Sequence, residues 1–154
     1  MNLLSLNCYG LGNPQTVREL HALVKHEDPR VVFLTETRLE LKNLEFLRRK
    51  LGMYGSWGVE RAGSGGGLAI LWKEEIQVTV QSFSLAHIDA TFRVIGTTEW
   101  HFTSFYGHPE TTKRGDSWTL LKRLQRYDDM PWLVVGDFNE ILEASEKTRR
   151  IESH

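Results

Sequence analysis

The chain is predicted to be a mixed α/β protein (α+β in its middle), a mixed sheet with flanking helices, and two observations carry that prediction. Its first part runs strand, helix, strand within about 35 residues, the length of a parallel pair joined by a crossover helix. Its middle then passes through consecutive β-rich segments with no helix between them, which favours antiparallel hairpins and so a sheet of both kinds.

The elements follow in order. "NLLSLNCYG" alternates Leu4, Leu6 and Cys8 with Ser5, Asn7 and Tyr9, the period of a half-buried strand, and Gly10, Gly12 and Pro14 break it. From Thr16 to His26 the apolar residues Val17, Leu20, Leu23 and Val24 recur at helical spacing until Asp28-Pro29 stops them. "RVVFLTE" is a short β-branched run ending in Glu36. Leu41 to Leu51 places Leu44, Phe46, Leu47 and Leu51 among charges, an amphipathic helix. "AGSGGGLAILW" reads as a glycine hinge feeding a strand, and further strands are expected near Ile76–Phe83, Ile88–Ile95 and Trp100–Tyr106. "SWTLLKRLQRY" has Trp118, Leu121 and Leu124 at core spacing for a third helix, and "PWLVVGDFN" is the last strand. With no internal repeat and no linker beyond the short "GSGGG", residues 1–154 read as a single domain.

Composition narrows the function classes. With 19 Lys and Arg against 20 Asp and Glu, a net charge of −1 gives no overall basic field. The single cysteine, Cys8, allows no intrachain disulfide and fits a nuclear or cytoplasmic setting. No segment has the pattern of a signal peptide or a membrane span, so no membrane partner is expected.

Several strands end on polar groups of one chemical kind: Asn7, Glu36, Tyr106, and the pair Asp137 and Asn139. Strand ends on one edge of a sheet come together in space, and oxygen-bearing groups gathered there suit a hard cation. Glu36 is then the carboxylate ligand, Asn7 its amide helper, and Asp137 a second acid to bind metal or orient a water. Each residue also has a plain reading, as a turn former, a solvated strand end or a core ring with a wet hydroxyl. It is their repetition after apolar strands that turns do not explain. "GSGGG" lacks the Lys-Ser/Thr of a phosphate-cradling loop and leads into a strand, so a flexible turn or a DNA-facing loop is the better reading. Arg48, Arg49, Lys50, Lys122, Arg123 and Arg126 read as solvated helix faces, whereas Arg61 and Lys73 flank the glycine loop as candidate phosphate contacts.

The pieces "SLNCYGLG", "VVFLTET", "GGGLAILW", "SFYGHP" and "VVGDFNE", in this order, resemble the endonuclease/exonuclease/phosphatase superfamily across essentially the whole chain. The wording around "GHPETTKRGDSWTLLKRL" and "GDFNEILEASEK" looks most like the endonuclease domain of plant non-LTR (LINE-type) retrotransposons. That resemblance implies the N-terminal part of a two-sheet α/β sandwich, the four-layer fold of deoxyribonucleases. It also implies Mg2+, with Mn2+ as a substitute, held at Glu36 and Asn7. Tyr106 would contact the scissile phosphate, Asp137 orient or deprotonate the attacking water, and Asn139 hold a phosphate oxygen. Arg114 would lie near the DNA, and His108 is a further substrate-side candidate, although a structural role is the simpler reading for His108, His87 and His101. The implied partners are DNA and, in an intact element, a fused reverse transcriptase.

The family completes its site with a later "SDH"-like segment, and "IESH" at Ile151–His154 follows Asn139 too soon to serve as one. The domain is therefore expected to be truncated at its C-terminal side, with weakened or lost activity. One sheet face, bearing Leu4, Leu6, Val32, Leu34 and Val135, is expected to stand uncovered. Three functions remain: a metal-dependent DNA endonuclease of retrotransposon type, a phosphomonoesterase acting on inositol phosphates or lipids, and a non-catalytic gene fragment.

Overall fold

The computed structural model describes residues 2–63, 65–94, 96, 99–106, 122–124 and 130–137, the side chains of 106, 136 and 137 excepted. Its elements are β1 (Leu3–Asn7), α1 (Pro14–Glu27), β2 (Val31–Thr35), α2 (Leu41–Lys50), β3 (Gly55–Val59), β4 (Leu68–Trp72), β5 (Ile76–Phe83), β6 (His87–Val94), β7 (Trp100–Tyr106) and β8 (Trp132–Asp137).

Helix α1 begins where the sequence says it can. Asn13 stays extended and its side chain accepts from the Gln15 amide at 2.8 Å, while Pro14, with no N–H to lose, takes the first helical position. It ends at Asp28, left-handed at φ 46, just ahead of Pro29. Between those caps the helix returns the chain so that β2 lies parallel to β1, Leu3 opposite Val31 and Asn7 opposite Thr35. β4 then pairs antiparallel with β2, and β3 with β4, giving a four-stranded sheet in the order β1-β2-β4-β3.

The second sheet is built as expected from hairpins: β5, β6 and β7 are successively antiparallel, and β8 joins β7 in parallel, in the order β5-β6-β7-β8. A bulge between Val80 and Ser82 shifts the β5 register and brings Phe83 opposite Ile88, where its ring, still 60% exposed, packs edge-on against Trp57 of β3, centroids 4.8 Å apart. Phe33 of β2 meets Phe102 of β7 edge-on at 6.3 Å, and β1 lies against β8. These contacts stack the sheets strand for strand, β3 over β5, β2 over β7 and β1 over β8.

Alternation decides which side chains go where. Val31, Phe33, Leu68 and Ile70 face Ile76, Ile88, Ala90, Phe92 and Phe102 between the sheets. Val32, Leu34, Ala69 and Leu71 face outward and are covered by Leu20 and Val24 of α1 and Leu44 and Leu47 of α2. Burying each large aromatic in the central layer is worth about 1.5–3 kcal/mol, and Phe33, Phe92 and Phe102 are fully buried.

Three expectations are corrected. The sheet face thought to stand open is covered: Val32 and Leu34 are fully buried, Leu4 and Leu6 pack under the helices, and Val135 packs against the central layer, because a second sheet and two helices are already present in this chain. Phe46 is not a core residue but is 67% exposed, since Leu44, Leu47 and Leu51 alone fill the buried stripe of α2. Strand β3 was not anticipated. Its Gly55 sits where any Cβ would collide with the Trp72 ring, so the residue that permits the close pairing also erases the apolar alternation. The third expected helix lies outside the described residues except at 122–124, which are helical. No helix among the described residues is long and apolar enough to cross a membrane.

Candidate active site

Parallel pairing places the first two candidates together. Asn7 is the register partner of Thr35, so Glu36, one residue further on, emerges beside it where β1 and β2 end. The turn that follows is unusual: Glu36 has φ 51 and Arg38 φ 53, both left-handed, and across the gap Tyr9 has φ 51. Side chains rarely adopt that conformation, and such residues gather where surrounding bonds over-determine the backbone. Here the bonds are explicit. Cys8 N donates to Thr35 O at 2.9 Å, Gly10 N to Glu36 O at 2.8 Å and Leu11 N to Thr37 O at 2.9 Å. The Glu36 side chain is 16% exposed and lies 3.5 Å from the Arg38 guanidinium.

Asn7 is also a turn former. Its Oδ1 accepts from the Tyr9 amide at 3.0 Å, which leaves the second lone pair of that oxygen for another partner. A carboxylate and an amide oxygen at adjoining strand ends are the donor set of a hard cation, so the residues fit a Mg2+. A cation held by these two groups would keep several waters.

The other pair comes from the second sheet. Tyr106 and Asp137 are register partners at the ends of the parallel strands β7 and β8. β1 lies against β8, so the strand pair that carries Asn7 and Glu36 and the pair that carries Tyr106 and Asp137 occupy adjoining edges of the two stacked sheets. Asn139, Arg114 and His108 lie outside the described residues.

Beside Asn7, Cys8 is buried, and burial raises its thiol to about 12. It remains protonated and is no nucleophile. An open cleft of about 280 Å³ between β1 and α1 is lined by Asn7, Cys8, Tyr9 and Thr16 among others.

The flanking cations separate. Arg61 stays near the Glu36 turn, its amide donating to Leu39 O at 3.0 Å and its guanidinium pairing with Glu40 at 3.0 Å. Lys73 does not: it follows Trp72, the partner of Val31 at the opposite end of β2, and pairs with Asp28. Sequence proximity to the glycine loop misled there, because β4 carries the chain the full length of the sheet.

A polar cluster that the sequence did not announce supports β7 and β8 from the outer face. Asp89 Oδ1 accepts from His101 Nε2 at 2.5 Å and Thr103 Oγ1 at 2.6 Å, Trp132 Nε1 donates to Thr103 Oγ1 at 2.8 Å, and the His101 ring stacks on Trp132 at 5.2 Å. With a carboxylate opposite, Nε2 of His101 carries the hydrogen. Its Nδ1 has no partner among the described residues. His87 is buried between Ser82, 3.1 Å from Nε2, and Ser84, 2.6 Å from Nδ1, and burial lowers its pKa. His87 and His101 thus serve the sheet, as their plain reading held.

Comparison with known proteins sets this geometry in a family. The family model described as "Endonuclease/Exonuclease/phosphatase family" matches residues 2–151. Among solved structures, the chain resembles the Bacteroides thetaiotaomicron mannosyl-6-phosphatase Bt3783 at 18% identity and TM-score 0.73, covering 99% of this chain and 70% of that one. It also resembles the endonuclease domain of TRAS1, a telomere-specific non-LTR retrotransposon, at 13% identity and TM-score 0.68, covering 99% and 70%. Danio rerio TDP2, solved with a single-strand DNA product, matches at 16% identity and TM-score 0.68 over 97% and 64%. No functionally curated protein matches the chain. At these identities the structural neighbours speak to the fold, a mixed α/β sandwich of two sheets with outer helices, and the family match speaks to the ancestry. The chain belongs to the endonuclease/exonuclease/phosphatase family.

Proposed function

We propose that this domain hydrolyses phosphodiesters in DNA with the help of a divalent metal, nicking it as retrotransposon endonucleases do. The observation that carries the reading is the placing of polar residues at paired strand ends, Asn7 opposite Thr35 with Glu36 next in line on one sheet and Tyr106 opposite Asp137 on the other, on sheets whose edge strands β1 and β8 adjoin. The resemblance to the TRAS1 endonuclease domain and to TDP2 crystallised with a DNA product supports a nucleic-acid substrate.

In this reading Glu36 and Asn7 hold the cation. Bound there, Mg2+ supplies a Lewis acid for the phosphate oxygens. Asp137 orients a water and takes its proton as the water oxygen bonds to phosphorus. Tyr106 and Asn139 donate to the phosphate oxygens, where negative charge builds in the transition state. The P–O3′ bond breaks, the 3′ oxygen takes a proton from solvent, and a 3′ hydroxyl able to prime synthesis is left. Arg114 and His108 contact the DNA backbone, a form of binding that positions the duplex without reading its bases.

Nicking of supercoiled plasmid in Mg2+ tests this. The wild type should nick, and Asp137→Ala should lose about 10²–10⁴ in rate, the usual contribution of a general base. Glu36→Ala should nick no faster than the metal-free wild type. Equal background in all three proteins would show a non-catalytic chain. A second reading, phosphate-monoester hydrolysis, is favoured by the resemblance to a sugar phosphatase. Release of phosphate from an inositol phosphate without nicking would select it.

A further inference from the structure

The glycine stretch is neither a phosphate cradle nor a free hinge. Ala62 and Gly65 close a small bridge by two backbone bonds, at 2.8 and 3.2 Å, and the chain leaving it runs beside the residues that follow β2. Thr37 N donates to Gly67 O at 3.2 Å and Arg38 N to Gly66 O at 2.8 Å. On their other side, Glu36 O and Thr37 O accept from Gly10 and Leu11. The Glu36–Arg38 turn is therefore clamped from both flanks by backbone, with Thr37 buried at its centre.

The clamp tolerates no side chain at one point. Gly67 has φ 95, and a Cβ there would collide with Thr37 Oγ1 and approach Arg38 N to 3.1 Å. Gly66, φ 75, is left-handed too, but a Cβ on it meets only Ala62 N, at 3.7 Å. Glu36 and Arg38 are sterically disfavoured at φ 51 and 53 and hold that conformation because their neighbours are tied down. Loosening the tie would let Glu36 relax to an ordinary φ and re-aim its carboxylate.

We propose that Gly66 and Gly67, acting through buried Thr37, are positioning residues that hold Glu36 in its metal-binding orientation. The proposal rests on the reading that Glu36 is a metal ligand. It assigns the glycine loop a role at the same end of the sheet, and it predicts sensitivity to Cβ atoms that touch neither metal nor DNA.

Mg2+ binding measured by isothermal titration calorimetry tests it, with circular dichroism to show that each variant folds. Gly67→Ala should weaken Mg2+ binding about 10–100-fold, the usual cost of disturbing the support of a metal ligand. Gly67→Ala/Thr37→Ala, which removes the colliding Oγ1, should recover most of that loss when compared with Thr37→Ala alone. Gly66→Ala should lose less than Gly67→Ala, and Gly63→Ala, also left-handed at φ 61 but facing open space, should bind as the wild type does. Wild-type affinity in Gly67→Ala, or a double variant no better than the single one, overturns the proposal. If Gly67→Ala does not fold, Gly66→Ala decides, and wild-type affinity there overturns it. Glu36→Gln separates the two layers: loss of binding in it together with intact binding in Gly67→Ala refutes the positioning role alone, whereas unchanged binding in Glu36→Gln refutes the ligand assignment and the positioning role with it.

Discussion

Replacing Asp89 by alanine should be among the most destabilising single changes outside the apolar core. One carboxylate oxygen, Oδ1, accepts from His101 Nε2 and from Thr103 Oγ1, and Asp89, His101 and Thr103 are 6%, 1% and 0% exposed. Deleting it strands two buried donors. Each stranded donor costs about 1–3 kcal/mol, so Asp89→Ala should lose about 2–6 kcal/mol, against a total stability of about 5–15 kcal/mol for a domain of ordinary size. Asp89→Asn keeps an acceptor oxygen at the same place and should lose markedly less. Urea denaturation followed by circular dichroism measures both. A loss below about 1 kcal/mol in Asp89→Ala, or equal losses in the two variants, would refute the idea that this oxygen satisfies both donors.

Two further outcomes are expected. At about pH 8 a thiol titrating near 12 is on the order of 10⁻⁴ thiolate, so Cys8 should react with an aromatic disulfide reagent about a thousandfold more slowly in the folded protein than in guanidinium, and equal rates would contradict its burial. His87, whose pKa burial lowers from 6.5, binds its proton less readily folded than unfolded. Its neutral form is the one the fold accepts, so stability should be complete above about 6.5 and fall as the pH drops through that value, at a slope of up to about 1.4 kcal/mol per pH unit. His87→Gln should flatten the difference between urea midpoints at about pH 7.5 and 5.5, and an unchanged difference would rule His87 out as its source.

Much of the fold was legible because long apolar periods announce themselves. The strand, helix, strand unit and the run of hairpins were read from Leu4 and Leu6, from Val17 to Val24, and from the β-branched segments near Ile76 and His87. β3 was not, since Gly55 and Gly58 replace apolar side chains where β4 and α2 come close. The stacking of the sheets depends on contacts distant in sequence, such as Phe33 with Phe102 and Trp57 with Phe83, which no local period encodes. Leu4, Leu6, Val32 and Leu34 were expected to stand uncovered because the domain was read as truncated, and α1 and α2 cover them.

The candidate site divides in the same way. That Asn7 and Glu36 end adjacent strands follows from a parallel pair, and the sequence made that visible. The left-handed turn at Glu36 did not show, because nothing in "LTETR" demands it; the glycines some thirty residues later and the loop after β1 impose it. Asp89 lies between Ile88 and Ala90, and His101 and Thr103 flank Phe102, so the three occupy the opposite face from those apolar residues. Only the fold reveals that this face is buried and that its polar groups must find one another.

The most direct test of the central claim, that strand ends from two sheets form one catalytic site, is a double-mutant cycle on Mg2+-dependent plasmid nicking with Glu36→Gln, Asp137→Asn and the pair together. Residues that act as a unit are strongly non-additive. The double variant is expected to nick about as slowly as the slower single variant. Losses that multiply, as for independent positions, or either single variant nicking at the wild-type rate, would contradict a shared site.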